Sequence, residues 1–208
     1  AAQRLNVPLT FLHVLEKSEY PVKANLSGNI GLGSRESLLQ ELAALDEKRG
    51  RIALEQGRLM LEAATQQAIA DGVASPVSRQ RHGSLVDTLI EIEEEIRLLV
   101  IGKQGTDGDT LGAHIGNHVE NVVRTMHRPI LVSTLAYTKP QRVMLAFDGS
   151  STTRKGVEMV ASSPLFRGLP CHIVMAGADT SENHEQLNWA KHTLESAGFD
   201  APATIIDG

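Results

Sequence analysis

Short runs of branched apolar residues alternate with helix-like segments along almost the whole chain of 208 residues. Seven such runs begin near residues 7, 73, 97, 130, 142, 171 and 202, and each is short enough to be a buried strand. Segments rich in Leu, Ala, Glu and Arg separate most of them, and these predict helices. Because strands and helices in alternation are typical of a parallel sheet covered by helices, the sequence predicts an α/β protein.

Charge and composition exclude several classes of function. The formal net charge is -5 and aromatic residues are 3% of the chain, so we expect neither a basic nucleic-acid surface nor a base-stacking platform. The single cysteine, Cys171, excludes an internal disulfide and a cysteine-based zinc site. The apolar runs are too short to cross a bilayer, and nothing at the first residues is typical of a secretion signal. We therefore expect a soluble, cytoplasmic protein without a membrane or nucleic-acid partner.

The pattern of elements also predicts two domains, at residues 1–137 and 138–208. Residues 171–175 resemble residues 9–13, and in both places a helix ending at a glycine (Gly72, Gly198) precedes another strand. The first domain has an added segment at about 16–70, which predicts a long loop to Ser34 and then one long helix, or two joined near Gly50. We expect both domains to be incomplete in this chain. The first lacks its first strand, and the second stops after its third.

Glycines mark the end of the run at 97–101. Gly102, Gly105 and Gly116 lie between that strand and a helix beginning at Asn117, where backbone N–H groups can approach phosphate oxygens and Lys103 can offset their charge. A plain strand-to-helix turn explains the same glycines. Asn117 with Glu120 also fits a helix cap, and we favour that interpretation of Asn117 over a phosphate contact.

Four more positions lie at or just after the ends of predicted strands. Asp148 ends the run at 142–147, where open α/β sheets bind ligands, but it also fits a cap for the next helix. Ala146 points to the same edge, and its small side chain leaves room for a base or simply packs. Gly83 and Ser84 border the same kind of edge, although a turn and helix cap is the favoured interpretation.

The order of these motifs resembles the universal stress protein family in its tandem-domain form. The matching stretches are Leu9–Val14, Leu98–Gly102, Gly102–Gly105, Gly116–Asn117, Arg128–Val132 and Val143–Ser150. The resemblance implies two open parallel-sheet domains of the adenine-nucleotide-α-hydrolase-like type, with strand order 3-2-1-4-5 in each. It also implies that an adenine nucleotide (ATP or AMP), with Mg²⁺ accompanying it, contacts Gly102, Lys103, Gly105, Gly116, Asn117, Ala146 and Asp148, with Gly83 and Ser84 bordering the ligand. Pairing through the last strand implies a homodimer, or a pseudo-dimer of the tandem domains.

The glycine loop departs from the family pattern at two points. In the family, nine residues separate the last two glycines and a Ser or Thr follows. Here ten residues separate Gly105 from Gly116, and Asn117 follows. The sequence thus leaves two hypotheses: a stress-response protein that binds a nucleotide as a signal, or a nucleotide-independent dimeric scaffold with a degenerate loop. No nucleophile motif occurs, so we expect at most slow ATP hydrolysis, and His114 with His118 is a weak basis for a metal site.

Overall fold

The structure, a computed structural model, describes residues 1–16, 32–103, 117–134 and 136–207. Parallel strands and helices alternate through these ranges, with one short 3₁₀ turn at Glu93–Glu95. The elements are α1 (Ala2–Leu5), β1 (Thr10–Leu15), α2 (Leu32–Ala70), β2 (Val77–His82), α3 (Leu85–Glu91), β3 (Leu99–Gly102), α4 (Asn117–Thr125), β4 (Ile130–Ser133), β5 (Val143–Ala146), α5 (Ser151–Ser162), β6 (Cys171–Ala176), α6 (Ser181–Ser196) and β7 (Ala203–Ile206).

The chain divides into two compact units. One unit contains residues 8–137, and the other contains residues 1–7 with residues 138–208. Helix α1 belongs to the second of these, where the Arg4 guanidinium donates to the Leu165 carbonyl at 3.0 Å. Whether the units are two copies of one domain, with boundaries at 1–137 and 138–208, stays a prediction.

In the unit of residues 8–137, the strands form two separate parallel pairs. β1 pairs with β2 from Thr10↔Val77 onward, and β3 pairs with β4 from Leu99↔Ile130 onward. Helices α3 and α4 supply a buried cluster of Leu89, Val122 and Met126, and side chains from β1, β3 and β4 pack against it. The two pairs therefore share a core, although no ladder joins them within the described residues.

Helix α2 is one continuous helix that runs through Gly50. Its C-terminal half packs on the β1–β2 pair with a narrow face of small or buried side chains, which includes Gly57, Leu61 and Ala68. A Cβ at Gly57 would lie 2.5 Å from Nδ1 of His13, so a larger residue here would displace the side chains that the strands present to the helix. The helix is therefore fixed to the sheet at one end, while residues 43–52 are exposed.

In the second unit, three strands form one sheet in the order β5-β6-β7. Helices α5 and α6 cover one face, and the core between them and the sheet contains fully buried side chains that include Val157, Cys171, Ile173 and Leu194. On the opposite face, Met144 is 69% exposed. The apolar residues of each strand thus alternate between a packed face and an open one.

The structure confirms the α/β class with parallel strands that the sequence predicts. The predicted strand at 73–81 is displaced, because Ser75 adopts a left-handed conformation (φ 50°) before Pro76 and pairing begins only at Val77. The predicted strand order 3-2-1-4-5 stays a prediction. No helix within the described ranges is both long and apolar enough for a bilayer span.

Candidate functional site

The carboxyl end of β5 carries a fixed acidic side chain, Asp148. Its Oδ1 accepts hydrogen bonds from the Ser150 backbone amide at 2.9 Å and from the Thr153 hydroxyl at 2.7 Å. Ser150 itself caps helix α5, accepting from the Thr153 amide at 3.3 Å. Asp148 therefore supports the first turn of α5, as one of its two sequence interpretations predicts, and it also holds an exposed carboxylate at the sheet edge.

Hydrogen bonding also fixes the charge of this carboxylate. The Ser150 side chain, the Thr153 hydroxyl and the Ser150 amide together lower the pKa of Asp148 to about 2. The group is therefore an anion at neutral pH, able to accept hydrogen bonds but not to donate them. Such an anion can accept hydrogen bonds from the amino and hydroxyl groups of a nucleoside, whereas it repels the negative charge of a phosphate.

Arg154 and Trp189, which the sequence analysis did not single out, lie close to the Asp148 turn. Arg154 donates to the Gly149 carbonyl at 3.2 Å, and its guanidinium lies 4.4 Å from the ring centre of Trp189. The Trp189 ring in turn stacks on Phe147, with centroids 6.3 Å apart. This places a partly buried cation behind the turn and ties α6 to the end of β5.

Gln186 on α6 completes this support. Its side-chain oxygen contacts Gly149 so closely that a Cβ there would overlap it, and Gly149 has φ of 78°. The same oxygen is buried and has no hydrogen-bond partner within the described residues. Gln186 and Trp189 are three residues apart on a predicted helix, so the sequence places them on one face. It gives no sign that this face meets Gly149.

Ala146 is the last residue of β5 and is exposed. The chain then turns inward, since Phe147 is buried and its amide donates to the Val174 carbonyl at 2.9 Å. Ala146 and Asp148 are thus exposed positions on either side of buried Phe147, and their contact with a ligand stays a prediction. After β6, Thr180 caps helix α6 by accepting from the Asn183 amide at 3.2 Å.

In the unit of residues 8–137, the glycine stretch is described only at its start. Gly102 is the exposed last residue of β3, and the Lys103 amide donates to the Ser133 carbonyl of β4 at 2.8 Å. Gly105, Gly116 and His114 lie outside the described residues. Asn117 begins α4, and Glu120 accepts from the Arg124 guanidinium at 2.8 Å.

Gly83 and Ser84 lie at the carboxyl end of β2. The Gly83 amide donates to the Leu15 carbonyl at 3.0 Å, and Ser84 caps α3 by accepting from the Asp87 amide at 3.3 Å. The Leu85 amide donates to the Glu16 carboxylate at 3.0 Å. This geometry is that of a turn and helix cap, and it joins the carboxyl ends of the paired strands β1 and β2.

Comparisons of sequence identify relatives over most of the chain. The Universal stress protein family matches residues 1–133. Universal stress protein Slr1230 from Synechocystis sp. is 27% identical over 205 residues, which are 98% of this chain and 71% of that protein. Universal stress protein Rv1996 from Mycobacterium tuberculosis is 28% identical over 131 residues, which are 60% of this chain and 41% of that protein.

A solved structure shows the same fold. The universal stress protein from Archaeoglobus fulgidus superposes with a TM-score of 0.68 at 16% identity, covering 99% of this chain and 70% of that one. The family match extends over more than half of the chain and agrees with the parallel α/β architecture described above. This chain belongs to the universal stress protein family.

Proposed function

We propose that this chain is a stress-response protein that binds an adenine nucleotide, ATP or AMP, as a signal. Membership of the universal stress protein family supports the role in the stress response. The nucleotide would bind at the carboxyl ends of the parallel strands, where α/β sheets place their ligands. A cytoplasmic location and pairing into a homodimer or pseudo-dimer remain predictions.

The observation that carries the proposal is the position of Asp148. Its carboxylate is exposed and ionised at the end of β5, and Ser150 and Thr153 hold it in place. Such an acceptor suits the amino group of adenine or a ribose hydroxyl. Ala146 beside it adds no bulk that would block a base.

The unit of residues 8–137 would bind a nucleotide at a site of its own, where Gly102 and Lys103 would contact phosphate oxygens together with Gly105, Gly116 and Asn117. Gly102 is exposed at the end of β3, where a phosphate can reach it. The Lys103 ammonium would offset phosphate charge, and Mg²⁺ bound with the nucleotide would offset more. Gly83 and Ser84 would border the ligand at the end of β2. We propose at most slow hydrolysis of the nucleotide.

The second candidate is a dimeric scaffold that binds no nucleotide. The observations that favour it are the ten residues between Gly105 and Gly116 and the Asn at 117. Exposed Leu131 and Val132 on β4 add an apolar strand that a second copy can cover. In this candidate the glycine stretch is only a connection between β3 and α4.

The two candidates predict different amounts of nucleotide in the supernatant of the heated protein. We expect the supernatant of the heated, purified chain to contain ATP or AMP by mass spectrometry, and added ATP to raise the melting temperature of the emptied protein. Absence of released nucleotide together with an unchanged melting temperature would support the scaffold.

A double substitution tests the loop itself. Gly102→Val with Gly105→Val should remove the ATP-induced rise in melting temperature, because two branched side chains would block approach of the phosphates to the backbone. Gly50→Val is the matched control, since Gly50 lies in an exposed part of α2 with nothing within 4 Å of a new Cβ. A rise that persists in the double variant would remove the loop from the binding site.

A further inference from the structure

Strand β2 is paired on one side only within the described residues. The Val77 amide donates to the Leu9 carbonyl at 2.8 Å, and the pairing with β1 continues in this register to the end of the strand. Because the backbone groups of successive residues in a strand point in opposite directions, those of Ser78, Gln80 and His82 point away from β1. Their amides and carbonyls form a free edge, with no described strand beside it.

A groove of about 400 Å³ lies between β2 and helix α2. Buried Leu61 supplies the apolar part of its lining, Glu62 and Gln66 line it from α2, and Ser78 and Gln80 line it from β2. A strand edge beside a helix can bind an extended peptide, which pairs with the edge and places every second side chain in the groove.

The groove lies on the outer side of β2. Gly57 of α2 lies against side chains of both β1 and β2. About 80° further round the helix, the Thr65 hydroxyl shares a hydrogen bond of 2.7 Å with the Ser78 hydroxyl of β2. Glu62 and Gln66 follow beyond Thr65 in the same direction. These two residues therefore overhang the free edge, where a further strand would lie.

The charges around the free edge favour an acidic partner on the sheet face opposite α2. Side chains alternate along β2, so Arg79 and Arg81 lie on that face. Arg79 donates to the Glu95 carboxylate at 2.8 Å, whereas Arg81 is exposed and forms no ion pair within the described residues. On the groove side, Arg58 already pairs with Glu62 at 3.1 Å. A segment that pairs here would thus direct neutral side chains toward the groove and an acidic one toward Arg81.

We propose that the free edge of β2 and the groove beside it bind an extended acidic segment of a partner protein, which adds to the sheet as a further strand. The backbone groups of Ser78, Gln80 and His82 supply the pairing, and Arg81 selects acidic side chains. A second copy of β2 fits this edge less well. Antiparallel pairing of two copies centred on Gln80 would set Arg79 opposite Arg81 of the other copy, and like charges would repel.

Fluorescence anisotropy of a labelled peptide mixed with the full chain tests the backbone pairing. The probe is as long as β2 and alternates Glu with Val or Thr. Two further peptides carry N-methyl groups, one at the Glu residues and the other at the Val and Thr residues. Since only alternate amides of an added strand face β2, one methylated peptide should bind at least tenfold more weakly than the probe and the other should bind like it. Equal affinities of the two methylated peptides would overturn the proposal.

Variants of the chain test the groove and the charge. Gln66→Trp, which fills the groove, should weaken binding of the probe at least tenfold, whereas Gln56→Trp at an exposed position of the same helix should not. Arg81→Glu should also weaken it, and should bind a peptide with Lys in place of Glu better than the parent does. Arg142→Glu makes the same charge change at an exposed position of the other unit and is the control. Far-UV circular dichroism should show that all four variants are folded.

Three other results would contradict a partner strand at this edge. The first is an absence of saturable binding of the probe to the parent chain. The second is an unchanged affinity in both Gln66→Trp and Arg81→Glu. The third is a dimer of the chain, seen by sedimentation velocity, that Gln66→Trp dissociates, because this result would assign the edge to a second copy.

Discussion

The two units of this chain use the same kind of elements but pack them to different degrees. In residues 138–207, β5, β6 and β7 form one uninterrupted ladder, and Ile173 and Leu194 are fully buried between the sheet and its helices. In residues 8–137, β1–β2 and β3–β4 are two separate ladders, and every residue of β1 is exposed or only partly buried. A continuous ladder allows a single closed core to form on one face.

In the unit of residues 8–137, packed helices join the two strand pairs. Leu89 on α3 and Val122 and Met126 on α4 form a cluster against which Leu12 of β1 and Leu99 of β3 both pack. Helix packing, rather than strand pairing, therefore holds the two ladders together in the described residues. The order 3-2-1-4-5 would place a further strand between β1 and β3, and that order remains a prediction.

Large-to-small substitutions should give the largest difference in lost stability between the two cores. Leu194→Ala should lower the free energy of unfolding by about 3 kcal/mol, because the fully buried side chain leaves a cavity. Leu12→Ala, at a partly buried position in the other unit, should cost about 1 kcal/mol. Urea unfolding followed by fluorescence of Trp189, the single tryptophan, measures the loss for Leu194→Ala in the unit of residues 138–207. Far-UV circular dichroism, which follows the helices of both units, measures the loss for Leu12→Ala. Equal losses for both variants would contradict the difference in packing.

A smaller effect concerns the support of the Asp148 turn. Gly149→Ala should destabilise the chain by about 2 kcal/mol, since alanine must adopt φ of 78° and also displace Gln186. Gly168→Ala has nearly the same φ, 79°, with nothing within 4 Å of the new Cβ, so we expect about 1 kcal/mol from strain alone. Chemical unfolding of both variants measures the contribution of the Gln186 contact. If the two variants lose the same stability, that contact has no measurable role.

The smallest effect is a pH dependence. Because the folded-state pKa of Asp148 is lowered to about 2 from 3.8, its contribution to stability is complete above about pH 4 and is lost as pH falls through about 2. Asp148→Asn should therefore be less stable than the parent at neutral pH, and the difference should shrink in acid. Urea midpoints at several pH values between about 2 and 7 measure this. A difference that does not depend on pH would show that the carboxylate charge does not stabilise α5.

Most of the elements could be predicted from the sequence, because apolar runs and glycine stops such as Gly72 and Gly198 have strong local signatures. Local patterns could not decide whether Gly50 interrupts α2, since a single exposed glycine weakens a helix without ending it. They also could not place Gln186 and Trp189 against the Asp148 turn, because that contact depends on how α6 packs on α5 and β5. The sequence places Asp148 and Gly83 just after predicted strands and Ala146 near the end of one, and their contact with a ligand stays a prediction.

Calorimetric titration of ATP with Mg²⁺ into the emptied full chain tests the central claim most directly. We predict saturable binding whose affinity falls at least tenfold in the variant with Gly102→Val and Gly105→Val, and which Gly50→Val leaves unchanged. Titrations without heat and without a change in melting temperature, or equal affinities in all three proteins, would contradict binding of an adenine nucleotide at this glycine stretch.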